Sequence, residues 1–260
     1  MDLFQVIILS IVEGVTEFLP ISSTGHLILT SRLLAIPSSE FLKTFEIAIQ
    51  LGAVLAVAHL YWRKLLSDFK LIQKAIIGLI PTIIIGIFMY PFLKSFLLES
   101  VQTVSISLIV GGIVILFIES RFKKRGNDDK KITNDLSKVT YKQAFFTGLT
   151  QSIAIIPGVS RSAASIFGGM TVGLDRKTAT EFSFILALPT ITAATGFDVI
   201  QTAPSFSQSQ IIQLTIGIIL SFIVALISIK WLLKYISTHT FTGFGWYRIA
   251  IGIIFLLLFL

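Results

Sequence analysis

The chain has no cysteine, so disulfides, zinc–thiolate sites, iron–sulfur clusters and thiol nucleophiles are excluded together. Its chemistry must rest on oxygen and nitrogen groups. Charge is scarce too: Asp, Glu, Lys and Arg make up 13% of the 260 residues, about half the share of an ordinary soluble domain. The start of the chain lacks the basic region of a cleavable signal peptide. Asp2 is its only early charge, and Glu13 and Glu17 interrupt the first apolar run, so no such peptide is expected. What is abundant is apolar: 54% of the residues are hydrophobic, a composition that belongs in a bilayer. The 21 Lys and Arg against 14 Asp and Glu leave a net charge of +7, which in a membrane protein reads as cytoplasmic loops rather than nucleic-acid contact.

A membrane-spanning helix needs roughly 20 mostly apolar residues, and six segments approach that length: 44–62, 75–93, 101–118, 182–200, 211–229 and 244–260. Two further apolar stretches, 3–34 and 142–174, are broken in the middle by Pro20-Ile21-Ser22-Ser23-Thr24-Gly25 and Pro157-Gly158-Val159-Ser160-Arg161-Ser162. Proline removes a helix donor, and clustered Gly and Ser favour a turn followed by a fresh N-cap, so each stretch reads as helix, loop, helix. Irregular backbone survives at membrane depth only where protein or a water-lined cavity surrounds it. The expected fold is therefore an all-α polytopic membrane protein with six transmembrane helices and two re-entrant helix hairpins.

The positive-inside rule orients it. Of the 21 basic residues, all but Arg32, Lys43, Lys94 and Arg161 fall on one side if the spans alternate. Arg176, Lys177, Lys230, Lys234 and Arg248 are assigned to that inner face along with the basic loop 121–140, whose lysine run reads as solvated; loop 201–210, without Lys or Arg, falls outside. The order hairpin, span, span, span occurs twice in a single membrane domain, 1–260: repeat one at 1–120 with hairpin 3–34, and repeat two at 141–260 with hairpin 142–174. Three spans is an odd number, so the second repeat enters upside down, an inverted-topology arrangement common in transport folds. The hairpins then dip from opposite faces and their tips meet near the middle of the bilayer. Aligning Pro20 with Pro157 places Ser23 on Ser160.

Few chemically capable residues remain inside the apolar stretches. Glu13 and Glu17 are four apart and share one helix face, and ionisable groups at such depth are functional candidates by default. His26 follows Ser22, Ser23 and Thr24. In the second tip Arg161 stands between Ser160 and Ser162; its planar fork suits a phosphate, as does the helix N-terminus beneath it. A structural ion cluster of Glu13, Glu17 and Arg161 is the competing interpretation. His59 reads as interfacial and His239 as a loop residue, while Glu46 and Glu181 are expected to hydrogen-bond to the hairpins.

The segment Glu13-Gly14-Val15-Thr16-Glu17-Phe18-Leu19-Pro20-Ile21-Ser22-Ser23-Thr24-Gly25-His26 and the segment Pro157-Gly158-Val159-Ser160-Arg161-Ser162 resemble the two signature motifs of the bacterial undecaprenyl pyrophosphate phosphatases of the bacitracin-resistance type. The resemblance runs along essentially the whole chain, including Lys43-Thr44-Phe45-Glu46, Tyr141-Lys142-Gln143-Ala144-Phe145 and Glu181-Phe182-Ser183-Phe184. One departure is Ser165, where the family pattern has Thr; the hydroxyl is kept. The resemblance implies hydrolysis of undecaprenyl pyrophosphate to the monophosphate carrier used in peptidoglycan synthesis, bacitracin resistance, and a bacterial cytoplasmic-membrane location with the site open to the outer face.

Phosphoryl transfer asks chiefly for charge neutralisation and an in-line nucleophile. The expected catalytic residues are Glu13, Glu17, Ser23, His26 and Arg161, with Ser22, Thr24, Ser160, Arg161 and Ser162 binding phosphate. Glu13 and Glu17 either hold a divalent cation, Mg²⁺ or Ca²⁺, or act as base and orienting group. The attacker is His26, Ser23 or a water. The expected partners are a polyprenyl pyrophosphate lipid and membrane lipids, with no nucleic acid; a homodimer is admitted. The alternative class is a lipid-phosphate flippase or anion transporter on the same scaffold.

Overall fold

The computed structural model describes residues 1–96, 101–125, 132–202 and 206–259, and of 90–96, 123–125 and 196–202 it describes the backbone alone. Among the described residues there are ten α-helices: α1 Leu3–Thr16, α2 Ser23–Leu33, α3 Glu40–Ser67, α4 Phe69–Phe96, α5 Val101–Arg125, α6 Tyr141–Gln151, α7 Arg161–Thr171, α8 Arg176–Thr202, α9 Gln208–Ile236 and α10 Thr242–Phe259. No strand accompanies them beyond a single parallel bridge between Thr133 and Leu174.

The helix starts follow from side chains that accept the otherwise orphaned first-turn N–H groups. Asp2 with Gln5, Thr140 with Gln143 and Ser207 with Gln210 form reciprocal capping boxes at α1, α6 and α9. Ser39 caps α3 through the Leu42 N–H, Asp68 receives the Leu71 N–H at the start of α4, and Asp175 receives the Thr178 N–H at the start of α8. The apolar runs then extend until the sequence breaks them.

Among the described residues, five helices are long and apolar enough to cross a membrane: α3, α4, α5, α9 and α10. The chain is a multi-pass membrane protein by that measure. Large apolar side chains such as Ile83, Ile87 and Phe88 on α4 and Ile219, Ile223 and Ile227 on α9 are exposed, as lipid-facing surfaces require. The sixth expected span, 182–200, lies on α8, whose side chains from 196 on are outside the described residues. The expected basic loop 121–140 starts later than the sequence pattern suggests, because α5 continues helical to Arg125; residues 126–131 lie outside the described residues. Both broken stretches appear where Pro, Gly and Ser interrupt the apolar runs: α1 and α2 flank residues 17–22, and α6 and α7 flank 152–160.

Small residues let these helices approach closely, the usual basis of packing where no water drives apolar faces together. A side chain at Gly52 of α3 would collide with the Ile218 carbonyl of α9, and one at Gly148 of α6 with the Gly78 backbone of α4. The principal packing pairs are α5 with α10, α3 with α9, α1 with α9, α4 with α6 and α3 with α8. In the middle of this bundle the two interrupted segments face one another.

Candidate active site

In the first tip α1 ends at Glu17, whose N–H still bonds to the Glu13 carbonyl. The chain then turns tightly, with the Ile21 N–H on the Leu19 carbonyl. Ser22 opens α2 in the left-handed region at φ 75°, its hydroxyl accepting from the Gly25 N–H. In the second tip a 3₁₀ turn at Ser152–Ile155 leads through Pro157 and Gly158 to Ser160, whose hydroxyl caps α7 through the Ala163 N–H. Gly158 has φ +87°, and a Cβ there would lie 2.7 Å from the Val104 carbonyl oxygen, so glycine is needed twice over. Tip two has one more residue between proline and cap. The structural counterparts are therefore Ser22 and Ser160, not Ser23 and Ser160 as the proline alignment suggests.

That one-residue correction makes Ser23 and Arg161 equivalent first residues of their helices, and Glu17 joins them. Ser23 Oγ donates to Glu17 Oε2 at 2.5 Å, and Arg161 Nη2 donates to Glu17 Oε1 at 2.7 Å. Arg161 is further held by Nη1 on the Ser183 carbonyl at 3.2 Å and by its position over the Phe18 ring. Its Nε is buried without a partner among the described residues. Ser162 Oγ reaches across to the Phe18 carbonyl at 2.8 Å, bonding tip two directly to tip one. Ser165 Oγ lies 2.6 Å from Ser183 Oγ and also donates to the Arg161 carbonyl.

A cavity of about 310 Å³ opens between the tips, and its walls include Glu17, Ser22, Ser23, Thr24, Ser160 and Arg161. Six of the expected residues thus share one polar chamber, with the positive ends of α2 and α7 both starting at its wall. The remaining three stand elsewhere. Glu13 is fully buried one turn behind Glu17, and neither of its carboxylate oxygens has a hydrogen-bond partner among the described residues. His26 is turned toward α10, with Nδ1 2.8 Å from the Ser22 carbonyl and Nε2 2.8 Å from the Tyr247 hydroxyl. Ser162 is spent on the bond to Phe18. Of the two supporting acids, Glu46 accepts from Ser31 of the first hairpin, and Glu181 meets Tyr61 of α3.

Three contributors were not read from the sequence. Gln50 of α3 and Thr190 of α8 line the chamber; a lone Gln or Thr in an apolar run carries little signal. Arg248 corrects the charge count. It does not face the inner solvent with the other basic residues but is 1% exposed, with its guanidinium on the carbonyls of Leu108, Ser107, Pro20 and Gly158. Its signal was present, because it is a charge inside the apolar segment 244–260. Arg176 also leaves solvent in part, pairing through Nε and Nη2 with buried Glu119.

A second cavity of about 410 Å³ lies between α5 and the second hairpin, lined by Ile106, Val110, Val114, Ile153 and Phe167 among others. Ile156 and Val159 of tip two line both cavities, so the polar chamber and an apolar groove share a wall.

The family described as Bacitracin resistance protein BacA matches residues 6–254 of the chain. Among its relatives, the undecaprenyl-diphosphatase of Aquifex aeolicus (strain VF5) is 47% identical over 257 residues, covering 99% of this chain and 98% of the relative. That of Sulfurihydrogenibium sp. (strain YO3AOP1) is 48% identical over 257 residues, covering 99% of each chain. That of Campylobacter fetus subsp. fetus (strain 82-40) is 46% identical over 259 residues, again covering 99% of each.

Proposed function

The chain belongs to the bacitracin resistance protein family, and on that premise we propose that it hydrolyses undecaprenyl pyrophosphate to undecaprenyl phosphate and inorganic phosphate in the chamber between its two tips. The observation that carries the site is the Glu17 carboxylate bonded at once to Ser23 and Arg161. It puts a base, a hydroxyl and a phosphate-gripping fork around one phosphate-sized space.

The scaffold is a single membrane domain of two inverted repeats, α1–α5 and α6–α10, each a re-entrant hairpin followed by three spans. The helix packing supports this: α1 rests on α9 as α6 rests on α4, while α5 meets α10 and α3 meets α8, the pairing a two-fold relation requires. The protein sits in the bacterial cytoplasmic membrane with its basic loops inside and the chamber open to the outer face. There it recycles the lipid carrier for peptidoglycan synthesis and confers bacitracin resistance. The isoprenoid tail lies along the apolar groove beside α5 while the pyrophosphate enters the chamber past Ile156 and Val159.

In the reaction Arg161 grips oxygens of the terminal phosphate, aided by Ser22, Thr24, Ser160 and the first-turn amides of α2 and α7. Ser23 Oγ attacks the terminal phosphorus and passes its proton to Glu17. The bridging P–O bond breaks, and undecaprenyl phosphate leaves with that bond's electron pair. Glu17 hands that proton to the departing undecaprenyl phosphate; a water then attacks the phosphoserine, giving a proton to Glu17, which returns it to Ser23 Oγ as inorganic phosphate leaves. His26 donates Nδ1–H to the Ser22 carbonyl and meets Tyr247 through Nε2, bracing the Ser22 cap from outside the chamber. As the alternative to a base at Glu17, Glu13, whose two oxygens are unpartnered among the described residues, and Glu17 would together hold Mg²⁺ or Ca²⁺. No group of three or more His, Asp or Glu among the described residues offers a closed metal site, so substrate oxygens would complete the shell. Bound there, the ion supplies charge neutralisation to the pyrophosphate.

Detergent-solubilised protein, which has no two sides, is given a long-chain prenyl pyrophosphate with and without divalent cation, and released phosphate is measured. Turnover is expected, and none under either condition would overturn the phosphatase in favour of a flippase or anion transporter. Acid quench during turnover should trap phosphate on Ser23; if nothing is trapped while product forms, water attacks directly.

A further inference from the structure

Arg248 is the most completely buried cation among the described residues and has no carboxylate within ion-pair distance among them. Holding a guanidinium in an apolar interior is costly unless its donors are satisfied. Here they are satisfied by main-chain carbonyls from three separate segments. Nη1 donates to Pro20 of the first tip at 3.2 Å, Nη2 to Gly158 of the second tip at 3.0 Å and to Ser107 of α5 at 3.1 Å, and Nε to Leu108 of α5 at 3.4 Å. The glycine pattern of α5 is built around the same group. A Cβ at Gly111 would lie 2.7 Å from Cζ of Arg248 and closer still to Nη2.

Resting on the phosphatase reading above, we propose that Arg248 is a positioning residue for the reaction: its fork ties the backs of both tips to α5 and so sets the separation of Ser23 and Glu17 from Arg161. It touches no chamber side chain and acts through Pro20 and Gly158. The requirement is geometric. A lysine keeps the charge but places one ammonium where a planar fork reached four carbonyls, and it cannot bridge both tips to the helix. Near-attack geometry tolerates little displacement, so loosening the tips is felt in turnover more than in binding.

The test uses the full-length protein in detergent with Arg248→Lys and, independently, Gly111→Ala, which crowds the guanidinium from the opposite side and leaves Arg248 intact. Both are expected to lower kcat at least tenfold while KM stays within threefold. Gly86→Ala, where the nearest atom to the new Cβ is 4.0 Å away, should change neither. Arg176→Lys, which weakens the ion pair to Glu119, controls for lost stability and should keep kcat within twofold. Since the chain has no cysteine, spin labels at Thr24→Cys and Ile153→Cys report the inter-tip distance directly. That distribution is expected to broaden in both Arg248→Lys and Gly111→Ala. Turnover within twofold of the parent in both variants would overturn the proposal, as would an unchanged distance distribution in a variant whose kcat has fallen. If Arg248→Lys does not fold, Gly111→Ala decides alone. If the parent releases no phosphate, the phosphatase reading fails, and the distance measurement still decides whether Arg248 ties the tips.

Discussion

Hairpin one carries α1 to Glu17 and opens α2 beneath the Ser22 cap; hairpin two carries a 3₁₀ turn to Ile155 and opens α7 beneath the Ser160 cap. The two tips use the same device and differ in one residue of loop length and in the sign of their charge. Tip one offers carboxylates and hydroxyls, tip two a guanidinium. Neither makes a phosphate site alone: the acids without Arg161 would repel a pyrophosphate, and Arg161 without Glu17 would have neither base nor orienting partner beside it. Two broken helices whose tips carry opposite charge yield a site that exists only when the tips meet.

The sharpest way to break that complementarity is at its hub. Glu17→Gln is expected to lower kcat about a thousandfold, because the base is lost and the amide presents a donor to either Ser23 or Arg161 where both need an acceptor. Steady-state phosphate release measures it, and turnover within tenfold of the parent would remove Glu17 from the chemistry. Breaking tip two alone should cost less. Arg161→Lys keeps the charge but gives up the fork that serves Glu17 and the Ser183 carbonyl, and losing one such donor is expected to cost about a hundredfold in kcat. Near-normal turnover would show that charge suffices and that the fork is not needed.

How far this was legible in the sequence follows from the range of each interaction. Pro20, Pro157 and the Ser/Gly clusters mark the interruptions because they act on the backbone locally, and the long apolar helices are legible from length alone. The capping serines are local as well. The register between tips was misread by one residue, since adjacent Ser22 and Ser23 are equally good caps in the sequence and only the backbone shows that Ser22 caps α2 as Ser160 caps α7. The orientation of His26 depends on Tyr247, which is 221 positions away and leaves no local trace. Arg248 was assigned to the inner face because charge counting treats every basic residue as facing water, although its apolar neighbours argued otherwise.

A gentler intervention tests whether the tips must be joined as well as complementary. Ser162→Ala removes the one side-chain bond from tip two to the Phe18 carbonyl and leaves every chamber-lining group in place. An unsatisfied buried carbonyl costs about 1–2 kcal/mol, so the thermal midpoint should fall by a few degrees. The kcat should fall only severalfold, because Arg248 and the Arg161–Glu17 pair still hold the tips together. A hundredfold loss would mean that Ser162 contacts the phosphate itself, as its place in the sequence first suggested.

The smallest effect is expected at Ser165, the position where the family pattern carries Thr. Ser165 is fully buried; its hydroxyl bonds the Arg161 carbonyl one turn back and meets Ser183 at 2.6 Å. Threonine in a helix can keep such a bond to the i−4 carbonyl, so Ser165→Thr retains the polar contact and adds only a methyl to the floor beneath Arg161. Turnover should stay within about twofold, and the thermal midpoint then reads whether α8 leaves room for that methyl. Ser165→Ala supplies the contrast: it leaves Ser183 without its hydroxyl partner and is expected to cost about 1 kcal/mol. If Ser165→Thr lowered turnover as much as Arg161→Lys, the two tips would differ in more than charge, because the second would then depend on a side-chain floor that the first, closed over Ser22 and Glu17, does without.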